Sequence, residues 1–407
     1  MTLIRFIKDN LPFLSAGFLL MFTSSFGQTF FISVFAGDIR AAFGLSHGAW
    51  GGIYSLGTTA SAVVMIWAGG LTDRFRVRVL GRVVVLMLVA ACVAMAIVPV
   101  VWALPFVIFA LRFSGQGMTS HIAVVAMARW FVGARGRALS FASLGIALGE
   151  AILPLTFVAL LTIFSWRSLW LAAAALALLI LPVVIRLLRL ERTPQAVADD
   201  GQSAGMTNRH WYRREVLSHW LFWLLVPSLL APAAFSTAFF FQQVHLAETK
   251  GWEHVQLVAL FPLFTVAAVT SMTASGWVID RVGSGRMMPL FQLPMALGFF
   301  LMSSAESITG AAVAMVFMGI SQGANSTVPN AFWAEYYGTR NLGAIKAMAT
   351  AVMVFGTALG PGLTGALIDH GIIFEKQMIA IAVYFVVGAV LTGIGIRRAR
   401  PLLAMAT

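Results

Sequence analysis

Apolar residues run along this chain in long blocks, and polar residues gather in the short gaps between them. A helix crosses the hydrocarbon layer with about 20 apolar residues, each adding about 1.5 Å. Twelve blocks are of that order: 12–36, 49–71, 81–101, 105–128, 138–162, 167–187, 217–243, 255–278, 287–304, 309–332, 345–367 and 377–396. None shows the period-two alternation of a barrel strand, and most are too long to be one. The pattern predicts an all-α polytopic membrane protein with twelve transmembrane helices. Pro154, Pro227, Pro232 and Pro329 fall inside blocks. A lone helix in lipid would be left with unpaired backbone groups there, whereas a bundle absorbs them through neighbouring helices.

Composition agrees: the 407 residues are 60% hydrophobic and 10% charged, with a mean hydropathy of +0.90. A soluble domain carries about 25% charged residues. The placement of charge changes the picture more than its amount. Of 27 Lys and Arg, 22 lie in the N-terminal segment, the even-to-odd loops and the C-terminal tail. Arg40, Arg167, Lys250 and Lys376 lie on the other side, and Arg112 stands inside a block. That asymmetry predicts a multi-pass protein of the cell (inner) membrane with both termini cytoplasmic. It also accounts for the net charge of +12 without nucleic acid as a partner, since no nucleic-acid module's motif is present.

The first ten residues carry two basic side chains and lead into a long apolar block with no A-x-A site, which reads as a first span and not a removed signal. Cys92 is the single cysteine and the seven His show no ligand spacing, so neither a disulfide framework nor a metal or other cofactor is expected. The longest hydrophilic stretch, 188–216, reads as a cytoplasmic linker between an N-terminal half, 1–187, and a C-terminal half, 217–407.

The halves echo each other. Gly69-Gly-Leu-Thr-Asp73-Arg74 matches Gly276-Trp-Val-Ile-Asp280-Arg281 at an offset of 207, and Gln116-Gly117 matches Gln322-Gly323 at 206. Gly145-Ile-Ala-Leu-Gly149 matches Gly356-Thr-Ala-Leu-Gly360 at 211. Duplicated six-helix halves place a transporter's binding site between them near the bilayer midplane. Twelve spans, a duplicated half and G-x-x-x-D-R in both the 2–3 and 8–9 loops resemble the major facilitator superfamily over essentially the whole chain. The second copy is nearly complete, with Gly283 and Arg286 in register, whereas Arg76 stands where that family usually has Gly. Arg112-x-x-x-Gln116-Gly117, Gly360-Pro361-Gly362 and Ser165-Trp166-Arg167 are further family-like pieces. The stretch from Arg129 through Leu153-Pro154 is most similar to the monocarboxylate and oxalate–formate branch, although block eight lacks the basic residue that would grip a carboxylate there. Gly360-Pro-Gly-Leu-Thr-Gly365 spells G-x-G-x-x-G, but inside an apolar block it lacks the strand–turn–helix setting of a dinucleotide site. With no P-loop motif either, an ion gradient is the expected driving force. No nucleophile–base or metal constellation points to an enzyme.

Two ionisable residues stand deep in blocks, Arg112 in the fourth and Glu150 in the fifth. A charge at mid-bilayer costs roughly 2.5–3.5 kcal/mol on insertion scales, so each needs a compensating reason. Counting residues from the block ends puts both within a few ångströms of one depth. They read either as a structural ion pair or as a proton-coupling carboxylate, Glu150, beside an anion anchor, Arg112, and the two readings are compatible. Arg112, Gln116 and Thr119 share one helical face at i, i+4 and i+7. Gln322 and Asn325 sit at the repeat-related level, and Gln28 lies in block one. The resemblance implies that blocks one, four, seven and ten line a cavity, which makes these six the expected substrate contacts. Helix-to-helix glue is the plainer role for the same amides and hydroxyls.

The Asp73-Arg74 and Asp280-Arg281 pairs are the expected gates, because the family's 2–3 and 8–9 loops stabilise its outward-open state. The Gly145/Gly149 and Gly356/Gly360 pairs permit close helix approach. The resulting expectation is a monomeric secondary transporter working by alternating access, partnered by the bilayer, a small-molecule substrate and protons. Symport of a small organic anion such as a monocarboxylate is favoured. Its rival is proton-coupled export of a drug or amphipathic metabolite, suggested by Phe22, Phe26, Phe30, Phe239, Phe240, Phe241 and Met318 on the cavity-lining blocks.

Overall fold

The computed structural model describes residues 3–131, 135–189, 204–338 and 340–404. Among them the chain is helical with no strand. Nine helices are each long and apolar enough to cross a membrane, and a bent pair, Arg5–Gly27 with Thr29–Phe43, makes a tenth. The remaining two blocks are the 30-residue helix Ile308–Tyr337, which carries five polar side chains between Gln322 and Asn330, and the shorter Leu293–Ser304. The twelve-helix architecture is therefore present. Side chains such as Ile66, Trp102, Phe106, Ile163 and Leu179 are exposed on its outside. Lipid tails solvate such a surface, where water would not.

The spans are numbered here in chain order. Span one is the bent pair, two is His47–Ala68, three Val77–Ile97, four Val101–Trp130, five Arg135–Leu161 and six Trp166–Leu188. Span seven is Trp220–Phe241, eight Phe261–Val282, nine Leu293–Ser304, ten Ile308–Tyr337, eleven Leu342–Asp369 and twelve Phe374–Ala404.

The chain divides into two compact units, Met1–Ala198 and Asp199–Thr407. Inside the first, span one packs chiefly on five, two on four and three on six. Inside the second, seven packs chiefly on eleven and eight on ten, while nine packs on both twelve and ten. The three pairs of the first unit all recur in the second, so the sequence repeat is also a repeat of helix partners. Glycine makes the first kind of pair close. A Cβ added at Gly145 would stand 2.1 Å from the Phe18 carbonyl oxygen, and one at Gly360 would stand 2.1 Å from that of Ala234. The two repeated glycine pairs thus seat span five on span one and span eleven on span seven, each within its own unit.

Residues 204–218, the second part of the hydrophilic stretch, are built into the second unit. Met206 and Trp211 are buried in a core with Phe222, Trp333 and Tyr337. The Trp211 backbone N–H donates to the Tyr337 carbonyl at 3.1 Å, and its own carbonyl accepts from Asn341 Nδ2 at 3.0 Å. Residues 190–203 lie outside the described residues.

Candidate functional site

Span one does not cross as a single helix. Its α-helix stops at Ser24, one turn of 3-10 helix covers Ser25–Gly27, and Gln28 is extended at φ −85° and ψ 154°. The helix resumes at Thr29, bent by 47°. No proline stands at this break. Its cause lies in the partner helix: a Cβ on Gly27 would come within 2.2 Å of the Leu111 carbonyl oxygen, and one on Gly115 within 2.6 Å of Gly27 Cα. The backbones of spans one and four touch here.

Span four answers with its own irregularity. From Arg112 to Thr119 it is a π-helix, the i→i+5 form that is rare and frequent at functional sites. Arg112, at its first residue, is only 1% exposed. Its Nη1 donates to the Gly27 carbonyl at 3.1 Å and to Thr29 Oγ1 at 3.3 Å, closing over the break. Thr29 Oγ1 also shares a 2.6 Å hydrogen bond with Tyr54 Oη of span two, whose ring centre lies 5.4 Å from the guanidinium carbon. Cation–π attraction at that range adds to the hold. The Nε of Arg112 is buried without a hydrogen-bond partner, as are Ser25 Oγ and Thr58 Oγ1. Nη1 is thus held by protein groups, and the Nε–H is left for a ligand or water.

The π-helix alters the face that α-helical spacing predicts. Thr119 is fully buried, and its hydroxyl donates to the Ser114 carbonyl, five residues back, at 2.6 Å. Gln116 and Gln28 are half-buried, and Gln116's backbone N–H faces Gly27. Glu150 is half-buried on span five, next to Gly149, whose added Cβ would meet Ser25 Oγ at 2.1 Å. The break in span one is therefore flanked by the helix of Arg112 on one side and the helix of Glu150 on the other. In the second unit Gln322 and Asn325 are half-buried on span ten, which remains a continuous α-helix. Both belong to the second unit.

At the loop motifs, Asp280 and Arg281 are exposed in the last turn of span eight, with the Arg281 guanidinium 3.4 Å above the Trp277 ring centre. Arg74 is exposed, and the Asp73 side chain lies outside the described residues. Two residues that sequence reasoning did not assign fix the first loop. His121 Nε2 donates to the Gly69 carbonyl at 3.2 Å, and Arg129 Nη1 to that of Thr72 at 2.6 Å. Glu335 fixes the second by accepting from the Ser284 backbone N–H at 3.0 Å. A charged side chain at corresponding positions, Arg129 and Glu335 at an offset of 206, was the available signal.

The phenylalanines of the cavity-lining blocks largely pack inside their own units. Phe26 and Phe31 meet edge to face at 5.2 Å, and Phe31 in turn meets Phe157 and Trp170. Phe240 meets Phe261 and Phe264 in the same way. Met318 is 1% exposed against Gly298. Among the described residues no group of His, Cys, Asp and Glu could hold a metal.

The model of the Major Facilitator Superfamily matches residues 17–361 and, overlapping them, 260–403. Three solved structures share the fold over nearly their full lengths. A bacterial homologue of the human lysosomal transporter Spinster, inward-facing and unoccupied, is 17% identical with a TM-score of 0.71, covering 96% of this chain and 97% of its own. The occupied form of that homologue is 16% identical with a TM-score of 0.66, over 97% and 95%. The nucleoside transporter NupG is 11% identical with a TM-score of 0.68, over 97% and 100%. No curated protein matches the chain by sequence.

Proposed function

This chain belongs to the Major Facilitator Superfamily and is a membrane transporter rather than an enzyme, and on that footing we propose that it carries a small organic anion together with a proton. Alternating access of the two units would expose a site that includes Arg112 to each side in turn. The observation that supports this reading is the buried guanidinium clamped across the break in span one, with Nε left over. A carboxylate would supply the missing acceptor and offset the cost of a cation at mid-bilayer. Glu150, on the other flank of the same break, is the group proposed to take up the proton. Gln28, Gln116, Thr119, Gln322 and Asn325 are the proposed polar contacts that orient the substrate, Thr119 through the π-helical turn that its hydroxyl ties together.

Export of an amphipathic compound is less well supported, since most of the aromatic side chains it would use are committed to packing. Arg74, Asp73, Asp280 and Arg281 are proposed to latch the loop side of the units. Cytoplasmic termini, argued from the charge asymmetry, together with an inner-membrane location and a monomeric state, belong to this proposal.

The experiment is transport by purified protein in liposomes, with a panel of small carboxylates. Glu150→Gln is expected to abolish accumulation driven by a proton gradient while substrate exchange continues. Accumulation at the unaltered level in that variant sinks proton coupling through Glu150. Arg112→Ala is expected to weaken carboxylate binding by roughly 10- to 100-fold, the loss of charged hydrogen bonds. Unchanged affinity with a lower folding yield would make Arg112 a structural residue only.

A further inference from the structure

The segment that enters span seven carries a second site. Residues 209–219 line an open depression of about 440 Å³, bordered by Arg209, Trp211, Arg214, Glu215, Ser218 and His219. That is the size of a small polar headgroup, within the range of small-ligand pockets. Its floor is rigid: Trp211 is buried, tied to Tyr337 and Asn341 through its backbone, and its indole N–H donates to the Met206 carbonyl at 3.2 Å. The Arg209 guanidinium lies 4.4 Å over the Trp211 ring and 3.3 Å from the Glu215 carboxylate, so it is oriented before any ligand arrives. His219 meets the same indole edge to face at 4.8 Å. Burial, and then the nearby Arg209, hold its imidazole below the ordinary range, which disfavours its charged form. Its Nδ1 is buried with no partner. Arg209, Arg213 and Arg214 against Glu215 leave the segment with a net charge of +2.

What surrounds the depression tells which anion fits. The Trp220 and Trp223 rings and the Tyr212 ring are exposed beside it, and Leu217 is exposed as well. Span seven begins at Trp220, one residue past His219. Exposed Trp and Tyr at a span end sit at headgroup level, and basic pockets at that level bind anionic headgroups. A soluble phosphate would have no use for the three rings and the leucine. We propose that residues 209–219 bind the phosphate-bearing headgroup of an anionic phospholipid, with Arg209 and Arg214 on the phosphate and Trp220, Trp223 and Leu217 against the acyl chains. This site is independent of Arg112 and Glu150.

The test uses the full-length protein in detergent, titrated with phosphatidylglycerol, phosphatidylcholine or sn-glycerol 3-phosphate, read by thermal unfolding and by native mass spectrometry. Phosphatidylglycerol is expected to raise the unfolding midpoint by mass action, phosphatidylcholine and glycerol phosphate at equal concentration to leave it unchanged. Arg214→Gln, an exposed change, is expected to weaken the lipid affinity about fivefold, roughly the worth of one surface Arg near anionic lipid. Arg209→Gln adds a comparable loss, and Arg209→Lys, which keeps the charge, restores most of it. Should Arg209→Gln fail to fold, Arg214→Gln and Arg209→Lys still decide the matter. Equal lipid affinity in wild type and Arg214→Gln overturns the site. Saturation by glycerol phosphate at the lipid's concentration overturns the lipid as its occupant.

Discussion

The two units pair their helices alike, yet they differ at the positions of the two charges set deep in the first. Arg112 of span four corresponds, at the offset of 206, to Met318 of span ten. Glu150 of span five corresponds, at 211, to Pro361 of span eleven. Span four is π-helical across its polar stretch, and span ten is α-helical throughout. Span one is broken at Gln28, whereas span seven runs unbroken from Trp220 to Phe241 in spite of Pro227 and Pro232. The difference teaches that helix irregularity here follows buried charge and close backbone approach, not proline. Pro227 and Pro232 are accommodated by the packed helix partners around them. The break in span one persists because a guanidinium is bonded across it.

The largest test of that comparison is to exchange the two corresponding residues. Met318→Arg puts a cation among apolar side chains in a position where Gly298 leaves no slack. An uncompensated buried charge of this kind costs about 3–5 kcal/mol, so the expected outcome is no folded protein by size-exclusion chromatography. Arg112→Met, which makes the first unit like the second, is expected to fold, because Thr29 and Tyr54 keep their own 2.6 Å bond. It should lose anion-dependent transport about 100-fold, in line with removal of charged hydrogen bonds. A functional Met318→Arg protein would show that the second unit tolerates charge as the first does and would remove the basis of the asymmetry.

The architecture was legible because it is written in period and length: twelve apolar blocks, a repeat at 206–211, and glycine pairs whose spacing of four announced close packing. Arg112 and Glu150 stood out equally as candidates, since a charge inside an apolar block needs a compensating reason, an ion pair or a function. The break at Gln28 was not legible. Ser24 to Phe35 contains neither proline nor charge, and its cause, the contact of Gly27 with Leu111 and Gly115, lies some 85 residues away. Hydropathy reports how long a helix is, not whether its bonds run to i+4 or i+5, so the π-helix and the altered position of Thr119 were hidden too. The hydrophilic stretch reads as a linker on average composition. Met206 and Trp211, its buried apolar side chains, decide the fate of its second part.

A smaller effect separates the two loop motifs. Gly283 adopts φ 82° and ψ 153°, a region that costs other residues about 1–3 kcal/mol. Arg76, its counterpart, is at φ −63° and ψ 140°, ordinary extended backbone. The first loop departs from the family's glycine because its turn needs no positive φ. Gly283→Ala is therefore expected to destabilise the protein by about 1–3 kcal/mol, and Arg76→Ala by less than about 0.5 kcal/mol, the usual range for surface changes. Thermal unfolding of the two variants in one detergent checks this. Equal shifts would mean that both turns have the same backbone requirement.

The smallest effect concerns why Arg129 and Glu335, corresponding residues at the ends of spans four and ten, carry opposite charge. Each fixes the loop motif of its own unit, but the loops offer opposite groups. The first presents the Thr72 carbonyl, in the short helix Leu71–Arg74, where the last carbonyls lack intrahelical partners. A cation suits that end. The second presents the Ser284 N–H, first residue of the helix Ser284–Met287, where the first amides lack them. An anion suits that one. Glu335→Gln and Arg129→Gln each keep a hydrogen-bonding side chain and lose the charge, so each is expected to cost about 0.5–1.5 kcal/mol. Hydrogen exchange distinguishes them: Glu335→Gln should speed exchange of the Ser284 amide, whereas Arg129→Gln removes a donor to a carbonyl and should leave that amide unaffected. Faster exchange at Ser284 in both variants would mean that the two loops are held as one element and that charge sign at 129 and 335 does not follow the local backbone.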